Sequence, residues 1–323
     1  MQSTDHKALK QYVHVAVAVI VNQHHEVLIA LRPEHLHQGG LWEFPGGKVE
    51  NQETVFEALV RESKEELAIQ IEQAEPFLKI QHDYSDKSVL LDVWKVLVFS
   101  GLPGGMEGQA IRWHPINKLN PSDFPEANMS IIRALQLPDH YMITGKFEND
   151  EDFRDKMIAS VSAGQKIVQL RCKTVRSDAE YIALAKTAKS ICHQFNCVLL
   201  LNTSVNIFHK IDADGLHLNS QALFEYNQRP VGTDKILSVS CHSEAEMLQA
   251  EQLGADIILL SPVKETSSHP GVPGIGWDKF HDMVDNIKSP VYALGGMGKN
   301  DLLHAKQAGA QGVAAISAFW LNE

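Results

Sequence analysis

Three glutamates, Glu62, Glu65 and Glu66, stand at i, i+3 and i+4 in a stretch with helical periodicity, so they share one helix face. Carboxylates packed that closely repel one another. A hard divalent cation with oxygen ligands removes the repulsion, and Mg2+ suits such a face when a substrate brings phosphate oxygens. Upstream, Gly46-Gly47 lets the backbone turn sharply, so that the Gly46 carbonyl could point at the same ion. The apolar positions Phe56, Leu59, Val60 and Leu67 form an adjacent stripe for a core. Taken alone, a cluster of acids more often marks a solvated helix face. The spacing argues otherwise: five residues separate Gly47 from Glu53, seven more precede Arg61-Glu62, and Glu65-Glu66 lies two residues beyond.

That spacing resembles the Nudix box. Two positions depart from it: Ser63 stands where the family has an aliphatic residue, and Ala68 where it has Gly. Ser63 could bond back to a backbone carbonyl, and Ala68 requires a negative φ or mild strain. Neither is a metal ligand. The likeness runs from about Tyr12 to Leu135 and is similar to the MutT-type members: Leu41-Trp42-Glu43-Phe44-Pro45-Gly46-Gly47-Lys48, Met106-Glu107-Gly108-Gln109 and Asp123-Phe124-Pro125-Glu126-Ala127-Asn128 carry it. The resemblance implies an α/β/α sandwich that hydrolyses 8-oxo-dGTP to 8-oxo-dGMP and pyrophosphate, with Mg2+ or, in its place, Mn2+. It implies metal ligation by Gly46, Glu62, Glu65, Glu66 and Glu107, with Arg61 and Glu62 in the catalytic set and Glu66 or Glu107 as general base. It implies that Asn128 bonds the oxidised guanine edge, that Phe44 helps form the base pocket, and that Arg32 and Asp86 lie at the nucleotide. Lys87 replaces a family arginine and loses its planar fork. Residue by residue, plainer readings stay open: Phe44 as core, Asn128 as a helix cap, Arg32 and Asp86 as surface charges, Glu107 as a loop acid.

The elements that must position these groups are legible in outline. Val13–Val21 and Glu26–Ala30 read as strands about an Asn22–His25 turn, Glu53–Leu67 as a helix, and Val89–Ser100 as a strand. Gly101–Gly108 reads as a loop and Ser130–Leu135 as a short helix, with a linker at Gln136–His140. The expected domains are residues 1–136 and 137–323. In the second, eight short apolar runs alternate with helical stretches: Tyr141–Thr144, Ile167–Leu170, Val198–Leu201, Gly215–Leu218, Ile236–Ser240, Ile257–Ser261, Val291–Leu294 and Gly312–Ile316. That pattern predicts a small (β/α)8 barrel, a TIM barrel.

The second half resembles the thiamin phosphate synthase and TenI tautomerase superfamily through Val168-Gln169-Leu170-Arg171-Cys172-Lys173, Ala213–Leu218, Ser240-Cys241-His242-Ser243, Gly254-Ala255-Asp256, Gly295-Gly296 and Ile316-Ser317-Ala318. The resemblance implies a phosphorylated ligand on backbone N–H groups of Gly274–Gly276, Gly295, Gly296 and Ser317, and an acid/base part for His242. The departures weigh more. Synthases carry two aspartates for Mg2+ where this chain has Asn202-Thr203 and Asn219-Ser220-Gln221-Ala222. A phosphate lysine is not evident in Thr266-Ser267-Ser268-His269. Thiamin phosphate synthesis is therefore not expected. Ser317–Glu323 stands where the eighth barrel helix should begin, so the last helix is expected to be truncated, with at least one of Phe319, Trp320 and Leu321 buried in the gap.

The formal net charge of -11 argues against nucleic-acid or membrane-surface partners. The 4 cysteines show no C-x-x-C, which indicates neither a disulfide framework nor a zinc site. Residues 1–11 are polar, and Val13–Val21 is too short to span a bilayer, so a cytoplasmic protein is expected. Composition does not bear on oligomeric state. Three functions compete: a nucleotide-pool sanitation enzyme with a degenerate barrel, a bifunctional thiamin-pathway enzyme, and a hydrolase whose barrel is a non-catalytic regulatory module.

Overall fold

The computed structural model describes residues 12–35, 37–172, 177–266, 271, 273–285 and 287–321. The chain divides into two compact units, Met1–Gln136 and Leu137–Glu323.

The first unit runs β1 (Val13–Ile20), β2 (Glu26–Leu31), β3 (Trp42–Glu43), β4 (Gly46–Lys48), α1 (Val55–Leu67), β5 (Gln70–Asp83), β6 (Ser88–Ser100), β7 (Ile111–Pro115) and α2 (Met129–Gln136). One sheet has the order β4-β1-β6-β5, and a second has the order β3-β2-β7. Along β1, alternate side chains take opposite faces. Val17 and Val19 join a core with Ile131 and Ile132 of α2, whereas Ala16, Ala18 and Ile20 join a core with Ala58, Leu59 and Leu67 of α1. Helices on both sides of one sheet are the sandwich expected from the sequence. With both faces covered, β1 reads as a nearly unbroken apolar run.

Helix α1 begins with a capping box: the Thr54 side chain accepts from the Glu57 N–H, and the Glu57 carboxylate accepts from the Thr54 N–H at 2.8 Å. Ser63 lies buried on its core face. The helix ends at Ala68, whose φ of 57° and ψ of 28° are left-handed, so the mild strain expected there is present. The loop after β6 meets the last carbonyls of α1, with the Gly104 N–H donating to Leu67 O and the Met106 N–H to Glu66 O, both at 2.9 Å. Helix ends leave such carbonyls without intrahelical partners, so this loop is fastened by main-chain need.

The second unit is a closed parallel barrel of eight strands. Its elements are β8 (His140–Ile143), α3 (Asp150–Ser162), β9 (Ile167–Leu170), α4 (Asp178–Gln194), β10 (Val198–Asn202), α5 (Val205–Phe208), β11 (Gly215–Leu218), α6 (Ser220–Leu223), β12 (Ile236–Cys241), α7 (Glu244–Gln252), β13 (Ile257–Leu260), α8 (Gly276–Val284), β14 (Val291–Leu294), α9 (Leu302–Gln307) and β15 (Gly312–Ala315). His140, expected in the linker, belongs to β8, because the closing pair β15–β8 sets it against Val313. Tyr141, Ile167, Leu200, Ile257, Leu259 and Tyr292 fill the barrel interior, and the alternate residues of the same strands face the helices.

Beyond β15 the described residues turn rather than form a helix. Phe319 and Trp320 are buried, and Trp320 lies 5.7 Å from Phe153 of α3, ring centre to ring centre. Its indole N–H donates to Lys146 O at 3.0 Å, and the Leu321 N–H donates to Ser160 Oγ at 3.0 Å. The aromatic pair thus fills the gap as expected, with its one polar atom satisfied. All four cysteines are free thiols. Among the described residues no helix is long and apolar enough to cross a membrane.

Candidate active site

In the first unit the chemistry gathers where β4 and the C-terminal half of α1 meet. Gly47 rests against the Glu62 carboxylate, and a Cβ there would fall 2.1 Å from Glu62 Oε1, so a side chain at this position would push the carboxylate aside. The Gly46 N–H donates to Glu66 Oε2 at 3.2 Å. Arg61 organises the other acids. It grips Glu53 with two bonds of 2.9 Å, donates to Glu62 Oε1 at 2.7 Å and Lys48 O at 3.0 Å, and reaches Glu65 Oε2 at 3.5 Å. The guanidinium holds Glu53 down at about 2. Glu66 behaves oppositely. Burial pushes it up to about 8, against the pull of the Gly46 N–H, and the charges of Glu43, Glu62 and Glu107 add to the rise.

Glu107 is exposed on the loop after β6. Gln109 ties that loop to the site: its amide nitrogen donates to Glu66 O at 3.0 Å, and its oxygen accepts from the Glu107 N–H at 2.8 Å. Thus Gly46, Glu62, Glu66 and Glu107 are neighbours, with Glu65 held out by Arg61 and largely exposed. Among the described residues no three acidic, histidine or cysteine side chains stand grouped as a finished metal cage. The donor set nonetheless suits a hard cation. Its atoms are oxygens, and the repulsion from Glu43, Glu62 and Glu107, which adds to the effect of burial on Glu66, is what a cation would relieve.

The remaining expected residues surround the same unit's base-pocket candidates. Arg32 pairs with Glu43 and donates from Nε to His37 O at 3.1 Å. Asp86 is half-exposed and stands 3.4 Å from His37 Nδ1. Phe44 is buried and stacks on Phe124 at 5.7 Å, so it is part of the core as well as a wall. Asn128 ends a short 3-10 turn and is only 7% exposed. Among the described residues its amide makes no hydrogen bond, so it is not spent as a helix cap.

Three participants were missed in the sequence: Glu43, His37 and Tyr84. Tyr84 lies edge-on to His37 at 5.0 Å, and its hydroxyl accepts from the Ala127 N–H at 3.4 Å, beside Asn128. Glu43 reaches Arg32 only because β2 and β3 pair antiparallel, Leu31 against Trp42 and Ala30 against Glu43. No short-range signal carries that pairing.

In the barrel unit a cavity of about 690 Å³ opens at the C-terminal ends of the strands. His242, Gly295, Gly296 and Ser317 all line it, as does Ile275 from the expected glycine segment. Gly295 and Gly296 have φ of 100° and 67°, and a Cβ on Gly295 would fall 2.7 Å from Pro262 Cα. His242 Nδ1 lies 2.8 Å from Ser261 O. A carbonyl only accepts, so Nδ1 carries the proton and Nε2 is the basic nitrogen. Lys173 and residues 267–269, where a phosphate lysine was sought, lie outside the described residues.

Beneath the cavity runs a buried polar chain. Tyr141 Oη donates to Gln169 Oε1 at 3.1 Å and meets Ser238 Oγ at 3.2 Å. His217 sits between Ser238 and Ser240, 2.9 Å from each hydroxyl. Burial, helped by the charge of Arg171, holds His217 down at about 3, so the imidazole is neutral.

A sheet sandwich with a glycine turn on a glutamate-bearing helix, and a parallel barrel with a cavity at its strand ends, define two α/β enzyme classes in one chain. The profile described as thiamine monophosphate synthase matches residues 140–319, and that described as NUDIX domain matches residues 16–134. A provisionally named thiamine-phosphate synthase 2 of Aquifex aeolicus (strain VF5) is 34% identical over 185 residues, which is 57% of this chain and 99% of that protein. Thiamine-phosphate synthase of Methanosarcina barkeri (strain Fusaro / DSM 804) is 32% identical over 182 residues, 56% of this chain and 82% of that protein. The 8-oxo-dGTP diphosphatase of Escherichia coli (strain K12) is 38% identical over 122 residues, 38% of this chain and 95% of that protein. The chain therefore belongs to the Nudix hydrolase family through its first unit and to the thiamine monophosphate synthase family through its second.

Proposed function

We propose that the first unit hydrolyses 8-oxo-dGTP to 8-oxo-dGMP and pyrophosphate with the help of Mg2+ and so cleanses the nucleotide pool. The observation that carries this reading is the junction of Gly46-Gly47 with Glu62 and Glu66, to which Gln109 fastens the Glu107 loop. The Gly46 carbonyl with Glu62, Glu65 and Glu66 would hold the cation, which when bound would neutralise the phosphates and make a bound water more acidic.

The chain's own groups do the rest. Arg61 keeps Glu53 and Glu62 in place and so fixes the face of α1 that meets the phosphates. Glu107 takes the proton of the attacking water, since it sits near Glu66 and is exposed, whereas Glu66 is engaged by Gly46. The water oxygen forms the new bond to phosphorus, the bridging P–O bond breaks, and the monophosphate and pyrophosphate depart. Selection of the oxidised base rests on the buried, unspent amide of Asn128. A base that satisfies it gains a hydrogen bond, and one that does not leaves it unpaired. The diphosphatase relative of the first unit supports the same substrate.

The test is turnover of 8-oxo-dGTP, dGTP, ADP-ribose and thiamin pyrophosphate by the purified chain with Mg2+, with products identified. The expected result is preference for 8-oxo-dGTP, abolished by chelation and by Glu66→Gln. Indifference to 8-oxo-dGTP with turnover of thiamin pyrophosphate would overturn the reading and favour a thiamin-pathway hydrolase.

A further inference from the structure

We propose that the barrel cavity does not fit the divalent cation of the synthase family, so that the phosphate group expected there is held without a metal ion, with Arg171 supplying the positive charge. The inference concerns the second unit alone and does not depend on the hydrolase reading.

The cavity's lining contains no carboxylate among the described residues. The two places at which the synthase family was expected to present aspartates carry neutral groups, and Asn202, Asn219 and Ser220 face the cavity there. Mg2+ binds through carboxylates and phosphates and gives up its water reluctantly, so amides and hydroxyls alone are a poor cage for it. The residues present therefore do not fit the family's cation.

What they offer instead is an uncompensated cation. Arg171 follows β9, is half-buried and lines the cavity. Thr144 fixes its backbone, accepting from the Arg171 N–H at 2.9 Å and donating to Arg171 O at 3.0 Å. No acidic side chain pairs with its guanidinium among the described residues, and a partly desolvated cation without a partner is costly until an anion arrives. Across the cavity the N–H groups of Gly296 and Ser317 are spent on no acceptor among the described residues. One guanidinium and open backbone donors match a phosphate monoester, with at most two negative charges. A pyrophosphate brings more charge and would need the cation that the lining cannot hold. The walls also carry the apolar side chains of Ile143, Leu294, Met297 and Ile316, which suit an organic portion beside the phosphate.

The experiment is titration of the full chain with inorganic phosphate by calorimetry, first in EDTA and then in Mg2+. It is run on the unaltered chain, on Arg171→Met and on Arg171→Lys, with circular dichroism to check that each is folded. Saturable binding in EDTA is expected, changed less than twofold by Mg2+. Arg171→Met should weaken it at least tenfold, and Arg171→Lys should restore part of the loss. Phosphate binding that requires Mg2+, that Arg171→Met leaves unchanged, or that is absent would each overturn the proposal. Mn2+ is then counted by electron paramagnetic resonance in a Glu62→Gln/Glu66→Gln chain with pyrophosphate added. No Mn2+ should be retained, and retention that Arg171→Met removes would overturn the metal-free assignment even if phosphate binds.

Discussion

Acidification from pH 7 to pH 5 should weaken the barrel through His217. The imidazole is 1% exposed, and both of its nitrogens are engaged by serine hydroxyls. Protonation would put a charge in the barrel interior facing the like charge of Arg171. The folded group therefore titrates at about 3, against about 6.5 in an unfolded chain. Between those values the unfolded state holds the extra proton, so stability falls as the pH falls. The stabilisation is complete above about pH 6.5 and is lost at about 1.4 kcal/mol per pH unit below it, or about 2 kcal/mol at pH 5. For a unit of this size that is a fall of about 4–8 °C in the barrel's melting temperature. His140, whose ring is also held down by burial, adds in the same direction. Calorimetry at several pH values measures the sum, and the imidazole proton resonances of His217 isolate its part. A His217 resonance that titrates near pH 6.5 would refute the reasoning, as would a barrel transition with no pH dependence between 7 and 5.

Asn128→Ala should cut kcat/KM for 8-oxo-dGTP by about 5- to 100-fold, the worth of one or two buried hydrogen bonds, and affect dGTP much less. Equal losses on both substrates would mean that the amide does not read the base. Ala68→Gly should stabilise the first unit by about 0.5–1 kcal/mol in urea, because the left-handed φ of 57° is free for glycine; a destabilised variant would contradict the strain argument. Trp320→Ala should cost the barrel about 3–5 kcal/mol through the cavity left against Phe153, and an unchanged barrel transition would show that the aromatic pair is no part of its closure.

The barrel was legible almost strand by strand, since buried parallel strands are written as short runs of valine, isoleucine and leucine, such as Ile257–Leu260. Strand β5 was not. Its pairing with β6 slips at Ile71/Gln73, Gln73/Ala74 and Pro76/Leu78, and each bulge resets the alternation that marks a strand. The Nudix acids were legible because helical spacing fixes their neighbours. The partnership of Glu43 with Arg32 was not, because strand register creates it. The Ser238–His217–Ser240 bridge occupies a middle ground. Ser238 and Ser240 sit two apart on β12, on one face, and β11 pairs His217 directly with Ser238. That arrangement follows once adjacent strands are aligned, but not from either strand alone.

The closing seam has a bearing on how the chain folds as it is made. β8 needs β15, and the Trp320 indole needs the Lys146 carbonyl 174 residues earlier. Every strand pairing of the first unit lies within its own 136 residues, so its folding can be complete while the barrel is still emerging from the ribosome. During that interval β8 presents an open edge, His140–Ile143, whose apolar side chains have no cover. Open apolar edges recruit other strands, including those of neighbouring nascent chains. Slow synthesis between β8 and β15 should therefore lower the soluble yield of the chain more than equally slow synthesis within the first unit.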